Sequence, residues 1–170
     1  MPEHERCEAC RFDGATYNDV ALLEAVRSLG PRWRALLASA GDDLRERPAP
    51  GVWSALEYAA HSRDITALHV YGVEQALTQT EPVFPEFAND LADSAAATYA
   101  DLDPDVVATE LAAATARLAQ IAGDAGRDTW SWGITVGESR SDVRRLLEHA
   151  LHDSLHHVDD VERGLTSLRR

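Results

Sequence analysis

The chain has 170 residues, of which 45% are hydrophobic and 26% charged, so it is long enough for one domain with a buried core. Its formal net charge of −13 and its pI near 4.8 argue against binding to nucleic acid or to an anionic membrane surface, because both require clustered positive charge. No apolar run approaches the roughly 20 residues of a membrane-spanning helix and no signal peptide follows Met1, so we expect a cytoplasmic protein.

Two cysteines, Cys7 and Cys10, form one C-x-x-C motif. In a reducing compartment such a pair indicates metal binding or redox chemistry rather than a structural disulfide, and a thioredoxin-type redox pair would need a βαβ context that this sequence lacks. The Arg-Phe-Asp-Gly sequence after Cys10 is typical of a tight turn in one knuckle of a zinc ribbon. We therefore predict that residues 1–18 form a short cysteine-containing extension packed on the rest of the chain.

The next two predicted elements are helices. Apolar residues recur at three-and-four spacing over residues 19–39, which predicts helix one, with an interruption at Gly30-Pro31. A loop rich in glycine and proline follows. Helix two is predicted to begin at Ser54, where Ser54 and Glu57 form a capping box, and to extend to about Leu77.

The second half of the chain predicts two further helices. Residues 79–103 are irregular in pattern, with a short helical piece from Phe87 to Thr98. Asp103-Pro104 combines a preferred capping residue with proline at the first helical position, so helix three begins there, and we predict that it ends before Gly123 and Gly126.

The last predicted helix follows a loop or short ribbon over residues 127–140. Residues 141–168 contain no proline and no glycine before Gly164, which predicts helix four. Four long helices joined by substantial connections indicate an all-α four-helix bundle with long crossovers over residues 19–170.

Helix four carries four of the seven histidines within nine positions. At 100° per residue, Asp153 and His157 lie at the margin of its apolar stripe and point into the bundle. His152 and His156 form a second i, i+4 pair that lies nearly opposite the core. The predicted core stripe consists of Val143, Leu147, Ala150, Ser154, Val158, Val161 and Leu165.

Helix two supplies an inward-facing imidazole, His61, which needs a partner once it is buried. A histidine from one helix and an i, i+4 pair, Asp153 and His157, from another make a three-ligand set with an open position, as in catalytic divalent-metal sites. The alternative is that His61 is a hydrogen-bonded core histidine.

The residues of helix two resemble a known family. Trp53-Ser-Ala-Leu-Glu-Tyr-Ala-Ala-His61 resembles the W-S-x-x-E-x-x-x-H start of helix two in the DinB-like metal-binding four-helix bundles. This superfamily includes mycothiol-dependent maleylpyruvate isomerase and bacillithiol transferases. The resemblance covers roughly residues 19–168.

The family's second motif lies on the last helix and reads H-x-x-x-H, followed by a polar residue at +3 and an apolar residue at +4. With Asp153 and His157 as ligands, Asp160 and Val161 occupy the polar and apolar positions. The usual ligand set of the family is three histidines, whereas this sequence has Asp153 at the middle ligand position. The maleylpyruvate isomerase branch also has a carboxylate there, so the resemblance implies that the site is retained.

The resemblance implies a divalent metal, either zinc or nickel. It also implies that the attacking group is a low-molecular-weight thiol, such as mycothiol, or a water molecule. It implies a metal-dependent thiol transferase, isomerase or hydrolase that acts on a small molecule. The alternative is a non-catalytic metal-binding or interaction protein on the same bundle. We also consider a homodimer formed through helix faces.

Two pairs of possible ligands that the first site does not use suggest a second metal site. Two cysteines at C-x2-C spacing and two histidines at H-x3-H spacing match a structural Cys2His2 zinc site. We hypothesise that the N-terminal extension folds back over helix four, so that Cys7, Cys10, His152 and His156 share one zinc ion. His4 is a weaker alternative ligand, and the two histidines also fit ordinary solvated surface residues.

Overall fold

The computed structural model describes residues 4–84 and 98–170. The long helices in these ranges are α1 (Asp19–Ala40), α2 (Ala55–Thr78), α3 (Pro104–Ala125) and α4 (Val143–Leu168). They form a four-helix bundle, as predicted. The short helix predicted from Phe87 to Thr98 lies, apart from Thr98, outside the described residues. No helix within the two described ranges is both long and apolar enough to cross a membrane.

The helices begin where the sequence predicts. The Oγ of Ser54 accepts a hydrogen bond from the backbone N–H of Glu57 at 3.3 Å, and Oε2 of Glu57 accepts one from the N–H of Ser54 at 2.9 Å. This capping box satisfies N–H groups that a helix start otherwise leaves unpaired. At the start of α3 the side chain of Asp103 accepts hydrogen bonds from the backbone N–H groups of Asp105 and Val106, with Pro104 at the first helical position.

The prediction that helix three ends before Gly123 is wrong. Helix α1 continues through Pro31, and α3 continues through Gly123 to end at Ala125. At Gly30 an added Cβ would lie 2.8 Å from the Cα of Ala112 on α3. Glycine at this position therefore allows α1 and α3 to pack closely, and it does not mark a break.

The order of the helices around the bundle differs from their order in the chain. Helices α1 and α2 each pack against both α3 and α4, and they lie diagonally across from one another. Helix α1 is therefore not adjacent to α2, nor α3 to α4, and a crossover connection joins the two helices of each of these pairs. All seven residues of the predicted core stripe on α4 are buried. Ser154 is satisfied there by the indole N–H of Trp33, which donates to its Oγ at 2.7 Å.

Two small sheets supplement the helices. Strand β1 (Arg6–Cys7) pairs antiparallel with β2 (Phe12–Asp13) in the N-terminal extension. Strand β3 (Val83–Phe84) pairs parallel with β4 (Gly133–Val136), which pairs antiparallel with β5 (Ser139–Asp142). The second sheet is the ribbon predicted between helices three and four, extended by one strand.

A buried glutamate on α4 holds the extension in place. Glu148 is 1% exposed, and its carboxylate accepts hydrogen bonds from the backbone N–H of Glu5 at 2.9 Å and from Nδ1 of His4 at 2.7 Å. The Nε of Arg144 donates to the same carboxylate at 2.8 Å. A Cβ on Gly14 would lie 2.4 Å from Oε2 of Glu148, so the extension passes directly over this side chain.

Candidate metal centres

The structure brings His61, Asp153 and His157 together between α2 and α4. One potential ligand atom from each side chain lies within 4.8 Å of the others. The Oδ1 of Asp153 is 3.9 Å from Nε2 of His61 and 3.6 Å from Nε2 of His157. Ligand atoms around a tetrahedral zinc ion are about 3.3 Å apart, so shifts of less than about 1 Å would complete the geometry. We call these three residues the bundle site.

Aromatic rings flank the bundle site, which remains partly exposed to solvent. The side chains of its three residues are 16–20% exposed. The ring of Trp53 lies 5.3 Å from that of His61, and the ring of Tyr58 lies 5.0 Å from that of His157, measured between centroids. The capping box that starts α2 therefore also positions two aromatic neighbours of the site.

The charges of the bundle site suit a cation. Burial lowers the pKa of His61, which therefore offers a neutral imidazole at pH 7. Burial alone would raise the pKa of Asp153, but the hydrogen bond and charge of His157 outweigh it and lower that pKa. Burial alone would lower the pKa of His157, but Asp153 and Asp160 outweigh it and raise that pKa. The site therefore presents an ionised carboxylate that faces two imidazole rings.

Asp160 orients the last ligand of the bundle site. Nδ1 of His157 donates a hydrogen bond to Oδ2 of Asp160 at 3.0 Å. This hydrogen bond orients the ring and would keep the proton on Nδ1 when Nε2 binds a metal, an arrangement common in metal-bound histidines. The polar residue three positions after the ligand, noted in the sequence, thus has a specific partner. The same Oδ2 lies 3.7 Å from Nε2 of the adjacent His156.

The structure also brings Cys7, Cys10, His152 and His156 together, again with one potential ligand atom from each within 4.8 Å of the others. We call these four residues the extension site. The face of α4 that carries the two histidines is only partly open to solvent, because residues of the extension lie against it and leave the side chains of His152 and His156 16% and 30% exposed. His4 does not join the cluster, since its Nδ1 donates to Glu148. Metal binding at either site stays a prediction.

Sequence reasoning missed one buried histidine beside these sites. His69 on α2 is 8% exposed; its Nδ1 donates to the carbonyl oxygen of Ile65 at 2.7 Å, and its Nε2 accepts from Nδ1 of His149 at 3.0 Å. Burial, with the nearby His149 ring, lowers the pKa of His69 to about 4. The signal in the sequence was its position eight residues after His61, on the same face of the helix.

A family model of the DinB superfamily matches residues 21–161. This chain belongs to the DinB superfamily. The resemblance drawn from the helix-two and helix-four motifs is thereby confirmed, and it extends over most of the bundle. Among curated protein sequences, none is significantly similar to this DinB-superfamily protein.

A solved structure has the same fold. YfiT from Bacillus subtilis, described as a probable metal-dependent hydrolase with an unusual four-helix bundle topology, superposes with a TM-score of 0.76 at 13% sequence identity. The alignment covers 96% of this chain and 93% of YfiT, so it includes the bundle and its crossovers. At this identity the likeness concerns the fold alone.

Proposed function

We propose that this protein is a metal-dependent enzyme in which His61, Asp153 and His157 bind one divalent cation, zinc or nickel. The observation that supports the proposal is the convergence of the two Nε2 atoms on one Oδ1 of Asp153, at 3.9 and 3.6 Å. Imidazole and carboxylate are suitable ligands for both metals. The description of YfiT, which has the same fold, as a probable metal-dependent hydrolase is consistent with this assignment.

The reading of His61 as an ordinary core histidine fits the structure poorly. Its Nδ1 is buried and has no hydrogen-bond partner among the described residues. Buried polar atoms are almost always paired in native proteins, and leaving one unpaired costs about 1–3 kcal/mol. Nε2 of His61, the ligand atom in this proposal, lies 3.9 Å from Oδ1 of Asp153, too far for a hydrogen bond, so no hydrogen bond within the described residues holds this ring as one would hold a core histidine.

The reaction class follows from the number and charge of the protein ligands. A divalent cation held by three side chains keeps a position for a water molecule or a small thiol and lowers its pKa. Asp153 contributes one negative charge, so the protein neutralises half of the charge of the cation. We propose hydrolysis or thiol transfer onto a small electrophile, with mycothiol as one candidate thiol.

The surroundings of the site support a small-molecule substrate. The rings of Trp53 and Tyr58 flank the two histidines and would limit the size of a bound molecule and exclude bulk water. A protein of net charge −13 gives no support for nucleic acid or an anionic membrane as the substrate. We place the protein in the cytoplasm, and we retain a homodimer as a prediction for sedimentation analysis.

The proposal can be tested with one series of variants. Metal content and affinity would be measured by elemental analysis and calorimetry for the wild type, His61→Ala and Asp153→Ala. His149→Gln is the matched control, because His149 lies on the same helix but in neither ligand set. Losing a residue that only orients a ligand typically lowers metal affinity 10- to 100-fold, so loss of a ligand should lower it by at least about 100-fold.

Activity is measured on the same variants with small esters, amides and thiol-reactive electrophiles, with and without mycothiol. We expect turnover in the wild type that requires zinc or nickel, with His149→Gln close to wild type and the ligand variants inactive. Metal content and affinity in His61→Ala equal to those of the wild type would refute the ligand assignment. A metal-loaded wild type without any turnover would instead support the non-catalytic alternative.

A further inference from the structure

We propose that Cys7, Cys10, His152 and His156 bind a second zinc ion in a closed, four-coordinate site that fastens the N-terminal extension to α4. The four side chains each contribute one ligand atom to a cluster no wider than 4.8 Å. Sγ of Cys7 is 3.9 Å from Nδ1 of His156. Sulfur and nitrogen ligands of a tetrahedral zinc ion lie about 3.6 Å apart, close to this separation.

Backbone N–H groups in the β1–β2 turn are directed at the sulfur of Cys7. Cys7 pairs with Phe12 across the β1–β2 hairpin, and the turn contains Arg11 in the left-handed conformation, with φ 61°. Within this turn the backbone N–H groups of Cys10 and Ala9 face the sulfur of Cys7. N–H groups directed at a sulfur stabilise the thiolate, which is the form that binds zinc.

The histidine side of the cluster contains unpaired nitrogens. Both ring nitrogens of His152 are buried without a hydrogen-bond partner among the described residues. Oε1 of Glu5 lies 3.0 Å from Nδ1 of His152, but at an angle that does not form a hydrogen bond. A small rotation of the ring would pair Nδ1 with Glu5 and direct Nε2 at the metal, the usual arrangement for a ligand histidine.

The extension is held close to α4 independently of a metal. Arg145 pairs with Oε2 of Glu5 at 2.8 Å, and the ring of Phe12 stacks on that of His152 at a centroid distance of 5.3 Å. With Glu148 bound to the backbone of Glu5, these contacts bring the cysteines to the two histidines. Four protein ligands leave no open position, so this site would be structural, in contrast to the bundle site.

The two sites meet at adjacent residues of α4. His156 belongs to the extension site and His157 to the bundle site, and Oδ2 of Asp160 lies 3.7 Å from the first and 3.0 Å from the second. His156 would bind its metal through Nδ1 and His157 would bind its metal through Nε2. The other ring nitrogen of each histidine would face the carboxylate of Asp160. Zinc at the extension site would therefore stabilise the helical turn that carries two bundle-site ligands.

The first test is zinc stoichiometry in the full-length protein, measured by elemental analysis after loading and removal of excess metal. We expect two equivalents in the wild type and about one fewer in Cys7→Ser/Cys10→Ser. His61→Ala, the matched control, should also lose one equivalent, but from the other site. Unchanged zinc content in the double cysteine variant would refute the proposal without affecting the bundle site.

The second test uses cobalt in place of zinc in the wild type, so it does not depend on the folding of a variant. Tetrahedral cobalt with two sulfur ligands gives intense visible absorption and a sulfur-to-cobalt charge-transfer band. We expect this spectrum in the wild type and in His61→Ala, and its loss in Cys7→Ser/Cys10→Ser. A wild-type spectrum without the sulfur band would overturn the assignment and favour a thiol–disulfide role for the two cysteines.

Discussion

The buried histidine His69 makes the stability of this protein depend on pH in a defined direction. Its pKa is about 4 in the folded protein and 6.5 when the side chain is fully hydrated. Between these values the unfolded chain binds a proton that the folded protein does not, so stability falls as pH decreases through this window. The loss amounts to about 2 kcal/mol at pH 5 and about 3 kcal/mol at pH 4.

The physical cause lies in the two contacts of the ring. Nδ1 already donates to the carbonyl of Ile65, and Nε2 accepts from His149 at 3.0 Å, so a second ring proton would meet a donor instead of an acceptor. The 8% exposure of His69 leaves little water to solvate the added charge. Replacement by leucine removes the titrating group and fills this buried position with an apolar side chain.

The assay is urea unfolding of the wild type and His69→Leu at pH 7 and pH 5, with a chelator present so that metal binding does not contribute. The wild type should lose about 2 kcal/mol more than the variant between the two pH values. Val73→Ala on the same helix is the control: Val73 is fully buried, so its truncation lowers stability at both pH values but should keep the wild-type pH dependence. Equal pH dependence in the wild type and His69→Leu would refute the reasoning.

Three further predictions concern the metal sites and the extension. Asp160→Asn should weaken zinc binding at the bundle site about 10-fold by calorimetry, because His157 loses the carboxylate that orients it, and an unchanged affinity would contradict this role. Gly14→Ala should lower the free energy of unfolding by about 1–3 kcal/mol in urea titrations, since its Cβ would meet Glu148 at 2.4 Å; a neutral result would show that the carboxylate moves freely. Arg11→Gly should raise the melting temperature by about 2–4 °C by relieving a positive φ of 61°, whereas a lower value would indicate that the arginine side chain stabilises the turn.

Local patterns in the sequence predicted the helices and the core face of α4. Helix starts depend on short-range hydrogen bonds, so the capping pair Ser54 and Glu57 and the Asp103-Pro104 step could be read directly. The apolar stripe could be read because burial follows the period of the helix. The bundle-site residues were found because their spacing matches a family motif, and the structure places them together.

Glycine misled the prediction of the helix end at Gly123, and at Gly30 it has a packing role that the sequence does not show. Glycine and proline are read from sequence as breaks, because in isolation they weaken a helix. In the folded protein Gly30 lies against the backbone of Ala112, so packing between two helices decides its role. Information of this kind is absent from the local sequence, since the two residues are far apart along the chain.

The covered face of α4 was the feature least accessible from the sequence. His152 and His156 lie opposite the bundle core on a helical wheel, yet the extension packs against them and leaves them only partly exposed. The contacts that bring it there, from Glu148 to Glu5 and His4, join residues more than 140 positions apart. Spacing along a helix determines which side chains share a face, whereas the partner of a face depends on the path of distant chain segments, which only the assembled fold reveals.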